Sequence, residues 1–236
     1  MFFDLMTDLV DTAAETIAEG DGGASMSERV FGLISRAIIR GEIEPGAGMT
    51  EPDLARRFGI SRAPLREALR RLEEQQLLER NPYRGMRVTA LSRTMVEELF
   101  EIREELEGLA CRRAATRITD ADVVQLRAAL AAERDAIRDQ ARDRPAEVAV
   151  LASSGPHTLT AKIAANGELV KILDSAIWRL LRADYWRRVS RRPEALRASH
   201  VEHIRIVEAL SERDGELAEI LMRRHIRNTL NRRIEA

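Results

Sequence analysis

The chain has 236 residues, 44% hydrophobic and 33% charged, with a formal net charge of −1; it is long enough for one large domain or two ordinary ones, and two are expected. No apolar run approaches the roughly 18 residues needed to span a bilayer, which argues against a membrane protein, and the near-neutral charge argues against a general nucleic-acid glue. The single Cys111 precludes an internal disulfide, and Asp4, Asp8 and Asp11 stand where a secretion signal would be basic, so the expected compartment is the reducing cytoplasm.

Charge is unevenly spread: residues 1–25 carry six acids and no Lys or Arg, residues 26–90 twelve Arg against nine acids, and residues 91–236 26 basic against 24 acidic side chains. Residues 2–18 place Phe2, Phe3, Met6, Leu9, Val10, Ala13, Ala14 and Ile17 at helical spacing before a Gly-rich break at 20–25. Residues 1–25 thus read as an amphipathic or disordered extension, and Met26 is an alternative start.

From Ser27, Val30, Leu33, Ile34, Ala37 and Ile38 form one helical stripe ending at Gly41. Thr50, Glu51, Pro52 and Asp53 open a second, short helix that buries Leu54, Ala55 and Phe58 before Gly59. Ser61 begins a third helix, expected to run to about Glu79 with Leu65, Ala68, Leu69, Leu72 and Leu77 inside. Two short strands near 78–80 and 86–89 follow, joined by a turn holding Arg84 and Gly85. Beyond Leu91 only long helical runs remain, near 94–116, 120–141, 157–165, 167–191, 195–212 and 215–234, broken at Pro145, Gly155-Pro156, Asn166-Gly167, Pro193 and Asp214-Gly215. The fold class is therefore mainly α: a helix-turn-helix with a small two-stranded wing over residues 26–90, then an all-α bundle of six or seven helices over 91–236.

Two short helices with a tight turn, followed by a helix with a basic edge, is the arrangement that places its second helix in the DNA major groove. Arg62 and Arg66 are four residues apart and share the face opposite Leu65, Ala68 and Leu69, so both guanidinium groups are free for guanine edges or phosphates. Ser61 and the first amides of that helix suit a phosphate oxygen, with Ala63 and Pro64 on the same first turn. Arg84 at the wing tip suits the minor groove, and Gly85 permits close backbone approach. The alternative is a solvated helix face. Residues 30–90, above all Arg40-Gly41-Glu42-Ile43-Glu44-Pro45-Gly46, Glu51-Pro52-Asp53-Leu54-Ala55, Gly59 through Leu69, and Arg84-Gly85, resemble the winged helix of the GntR regulator family. Pro52 departs from the pattern, standing where relatives often carry a DNA-contacting Arg.

All four histidines, His157, His200, His203 and His225, fall in the helical half, and neutral imidazole is a common metal ligand. The run Glu98 to Glu107, His157 with Asn166, Glu202-His203 followed by residues 206–210, and Arg224-His225 resemble the FadR-type ligand-binding domain of the same family. That resemblance implies a divalent metal (zinc, nickel or manganese) held by His157, His203 and His225 with an Asp four residues before the first His; here that position is Ser153. Three readings stay open: three histidines with water or effector oxygens, His200 as an added ligand, or a metal-free pocket. The resemblance further implies that Arg103 clamps the carboxylate of a small organic or sugar acid effector beside Asn166; a helix pair with Glu107 is the alternative. Trp178, Tyr185 and Trp186 suit packing between helices better than a cavity lining. The implied protein is a homodimeric repressor reading a pseudo-palindromic operator, not an enzyme. The competing functions are a hydrolase using a zinc-bound water at the His cluster and a scaffold that dimerises without sensing.

Overall fold

The computed structural model describes residues 25–81, 85–139, 155–178, 180, 181, 184 and 192–234. The helix expected over 2–18, the wing-tip Arg84, the Ser153 position, Tyr185 and Trp186 lie outside the described residues. The chain divides after Leu91 into two units.

In the first unit the helix starts are set by local hydrogen bonding. Ser25 and Glu28 cap each other reciprocally, Glu28 N–H to Ser25 Oγ at 3.2 Å and Ser25 N–H to Glu28 Oε2 at 2.8 Å, satisfying amides that open α1 (Met26–Arg40). Thr50 accepts the Asp53 N–H at 3.3 Å to start α2 (Glu51–Phe58), and Gly59 ends it in the left-handed conformation. The next helix, α3 (Arg62–Glu74), buries Leu65, Ala68, Leu69 and Leu72. It stops about a turn earlier than its sequence suggests: Gln76 takes φ 59°, and the buried Leu77 precedes the next strand.

The expected two-stranded wing is a three-stranded antiparallel sheet in the order β1-β3-β2. β2 (Leu78–Asn81) and β3 (Gly85–Val88) pair as expected, and β1 (Gly48–Met49) adds itself to the free edge of β3. Two residues are too few to leave an alternation in the sequence. Gly85 opens β3 at φ 83°, where a Cβ would stand 2.9 Å from the Met49 carbonyl oxygen.

The second unit consists of helices. Among the described residues these are α4 (Arg93–Ala115), α5 (Asp120–Asp139), α6 (Pro156–Ile163), α7 (Gly167–Leu173), α8 (Pro193–Ser211) and α9 (Gly215–Ile234), with residues 176–178, 180, 181 and 184 also helical. Ser92 caps α4 through the Met95 N–H, and Thr119 and Asp122 cap α5 reciprocally. α9 packs along α4 and α8, α8 along α5, and α6 against α4. Their shared interior holds Phe100, Cys111, Leu126, Leu181, Leu196 and Ile206, and burial raises the Cys111 thiol pKa well above its ordinary value, which suits a core residue. Trp178 is buried as well. Among the described residues no helix is long and apolar enough to cross a membrane.

Candidate functional site

In the first unit the start of α3 faces outward. Ser61, Arg62, Ala63 and Arg66 are exposed and Pro64 is half-buried, while Leu65 and Ala68 turn inward. Ser61 occupies the N-cap position without making a side-chain capping bond, so its hydroxyl is not engaged by the helix it precedes. Arg66 is not isolated: Glu51 of α2 receives its Nη2–H at 2.8 Å and its Nε–H at 3.3 Å, a two-point grip that lowers the Glu51 pKa and fixes the plane of the guanidinium. Arg62 is exposed, and its charge, with that of Arg66, helps lower the Glu51 pKa. Gly85 makes its close approach to Met49 within the wing.

In the second unit three helices each deliver one imidazole to a single point. α6 starts at the break expected at Gly155 and Pro156, so His157 sits in its first turn. His203 comes from the middle of α8 and His225 from the middle of α9. Their Nε2 atoms lie 3.0 Å apart (His157 to His203) and 3.2 Å apart (His203 to His225), and one nitrogen from each of the three is within 4.8 Å of the others.

The opposite nitrogen of every ring is held by a carboxylate. His157 Nδ1 meets Glu107 of α4, His203 Nδ1 meets Glu133 of α5 at 2.8 Å, and His225 Nδ1 meets Glu202 of α8 at 2.7 Å. With Nδ1–H donating outward, each Nε2 presents a lone pair inward, the tautomer and orientation that metal-binding histidines adopt. Burial disfavours the charged imidazole, holding His157 below its ordinary pKa and His225 well below it, so both favour the neutral, ligating form. Burial alone would raise the three carboxyls, but their neighbours outweigh it. Arg103 and His157 hold Glu107 well below the usual range, His203 and His200 do so for Glu133, and His225, Asn228 and Arg232 hold Glu202 at about 2. Three converging lone pairs without a donor repel one another; this donor set fits a divalent cation bound through His157, His203 and His225.

His200 stands aside from that point, donating from Nδ1 to the second oxygen of Glu133 at 2.8 Å. Arg103 is buried at 5% exposure with its Nε–H on Glu107, so it holds the carboxylate that holds His157. Asn166 caps α7, accepting the Leu169 N–H at 3.2 Å. A cavity of about 160 Å³ opens beside His157, lined by the polar Glu107, Thr158, Lys162 and Asp174 and the apolar Val170 and Leu173. One turn beyond His157 the buried Thr160 hydroxyl has no hydrogen-bond partner, which in an interior is uncommon enough to indicate a polar neighbour.

Three residues of this arrangement were not singled out in the sequence as part of the site. Glu202 carried a signal, since it precedes a ligand candidate in the pair Glu202-His203. Glu107 was visible only as a helix partner of Arg103. Glu133 is one acid among several on a polar helix, and nothing local marks it.

Residues 26–88 match the family described as bacterial regulatory proteins, gntR family, and residues 98–228 match the FCD domain. The chain is 30% identical over 204 residues to the HTH-type transcriptional repressor RspR of Escherichia coli (strain K12), across 85% of this chain and 86% of that one. Its fold is similar to that of McbR/YncC of E. coli, with a TM-score of 0.72 at 19% identity over 90% of this chain and 99% of the other. A GntR transcriptional regulator from Rhodococcus sp. RHA1 is similar to the same degree, with a TM-score of 0.71 at 23% identity over 90% and 99% of the two chains.

Proposed function

Because the chain belongs to the GntR family of bacterial transcriptional regulators and its second unit carries an FCD domain, we propose that it is a repressor whose operator affinity is set by a small organic or sugar acid. The acid is held beside a divalent cation, zinc, nickel or manganese, in the second unit.

The observation that carries this reading is the convergence of three imidazole Nε2 atoms, each fixed from behind by a buried or half-buried carboxylate. A cation on His157, His203 and His225 would supply a positive seat for a carboxylate. The chain's own part is to keep the rings neutral and aimed: Glu107, Glu133 and Glu202 fix the tautomers, and Arg103 keeps Glu107 ionised. Arg103 and Asn166 thus serve the effector at one remove. Arg103 holds Glu107, a wall of the cavity, and Asn166 starts the helix whose Val170 and Leu173 also line it. A volume of about 160 Å³ suits an acid of a few heavy atoms rather than a drug-sized ligand.

In the first unit, Ser61, Arg62, Ala63, Pro64 and Arg66 are the proposed groove contacts, with Arg84 and Gly85 at the wing. As a homodimer the protein would set two such helices on half-sites about one helical turn apart. Two assays test the reading: metal analysis of the purified protein with and without chelator, and a mobility shift on its own upstream DNA. About one bound cation per chain and a retarded band are expected. A metal-free protein, or one that ignores that DNA, overturns it.

A further inference from the structure

The carboxylates of the imidazole centre all lie on its outer side, at Nδ1. On the inner side, among the described residues, the oxygen within hydrogen-bonding distance of an Nε2 atom is the hydroxyl of Thr229. It lies on α9 four residues beyond His225, is 2% exposed, and places Oγ1 3.4 Å from His225 Nε2. The hydroxyl's one proton is already engaged, donated to the His225 carbonyl at 2.8 Å. What faces the imidazole nitrogen is therefore an oxygen lone pair against a nitrogen lone pair.

Resting on the reading of this centre as a cation site, we propose that Thr229 Oγ1 is a donor to the same cation, completing a set of three nitrogens and one oxygen. The separation agrees with that role. Two ligand atoms bound to one four-coordinate ion by bonds of roughly 2.0–2.1 Å are about 3.3–3.4 Å apart, and Thr229 Oγ1 stands at that distance from His225 Nε2 before any ion is considered. The bond to the His225 carbonyl, a common habit of Thr in helices, fixes the rotamer and commits the proton, leaving only lone pairs for the His225 Nε2 side. A centre of this kind keeps neutral donors only, so the positive charge of the ion is left for an anionic ligand.

The test uses the full chain, stripped with chelator and titrated with cobalt(II), whose visible absorption reports the number and kind of donor atoms. Wild type and Thr229→Ser should share one spectrum and one affinity. Thr229→Val, which keeps the shape and removes the oxygen, should alter the spectrum and weaken cobalt binding about 10-fold, at unchanged helix content. Thr229→Ala carries the same expectation should Val disturb folding. If Thr229→Val matches wild type while His203→Ala loses the ion, Thr229 is not a donor and only this inference falls. If wild type itself takes up no cobalt, the cation reading falls with it.

Discussion

The Nε2 atoms of His157 and His203 stand 3.0 Å apart, although 46 residues separate the two in the chain. Each ring's other nitrogen is engaged by a carboxylate; with Nδ1–H donating there, two Nε2 lone pairs face each other and a cation between them would relieve the repulsion. The proposed cation site is thus built from the outside in, and Glu133 is the sharpest case, because one carboxylate takes both His200 and His203. A Gln there keeps one acceptor oxygen in place of two, without the charge, and its NH2 group cannot accept an imidazole N–H. Glu133→Gln should keep the fold and weaken metal affinity about 10–100-fold, read by competition with a chromophoric chelator. Unchanged affinity would show that Glu133 does not position the ligand.

The buried rings also give metal-free protein a direction of response to pH. His157 and His225 are held below their ordinary pKa in the folded state, while in the unfolded chain they titrate near about 6.5. Below that value the unfolded chain takes up protons that the folded one resists, so stability falls with acidity. Glu107, Glu133 and Glu202 are depressed; their stabilising effect is complete above about 4.3, the unfolded value, and is lost only as pH drops toward their lower folded values. Urea midpoints of chelator-treated protein should therefore decline between pH 7.5 and 5.5, and His225→Gln should flatten that decline. A midpoint that rises toward pH 5.5 contradicts the assignment.

At the start of α3, where DNA contact is proposed, Glu51 holds the exposed Arg66 guanidinium through two hydrogen bonds. A bidentate contact with a guanine is worth about 1–3 kcal/mol. Arg66→Ala should lose that much operator affinity, and Arg66→Lys should not restore it, since an ammonium lacks the planar fork. Fluorescence anisotropy at one fixed salt concentration reads both. Full recovery by Lys would reduce the role of Arg66 to a phosphate contact.

The wing has its own requirement at Gly85. Its φ of 83° costs a residue with a Cβ about 1–2 kcal/mol, and that Cβ would press on the Met49 carbonyl 2.9 Å away. Gly85→Ala should lower the urea midpoint and the operator affinity together. A variant as stable as wild type would mean that β1 gives way easily.

Much of this was legible in the sequence because it is local. The stripe Leu65, Ala68, Leu69 and Leu72, the cap at Thr50, the break at Asn166-Gly167 and the glycine stops at 41 and 59 follow from spacing and backbone preference. The grouping of His157, His203 and His225 was legible only through likeness to a family, since nothing in the spacing of residues 157, 203 and 225 makes them meet. What stayed hidden depends on tertiary contact. β1 exists because β3 offers it an edge, Glu107 meets His157 only once α6 packs on α4, and Glu133 becomes a partner of two histidines only once α5 lies along α8. Thr229 reads as one more polar residue of a C-terminal helix until the ring of His225 is placed beside it.

Operator affinity across a panel of organic and sugar acids, measured by anisotropy with cation-loaded and chelator-stripped protein at one salt concentration, tests ligand-controlled DNA binding most directly. The account predicts that at least one acid changes the affinity of the loaded protein about 5–150-fold, and that stripping the cation abolishes the response. Operator binding that stays the same with every acid, loaded or stripped, would contradict it.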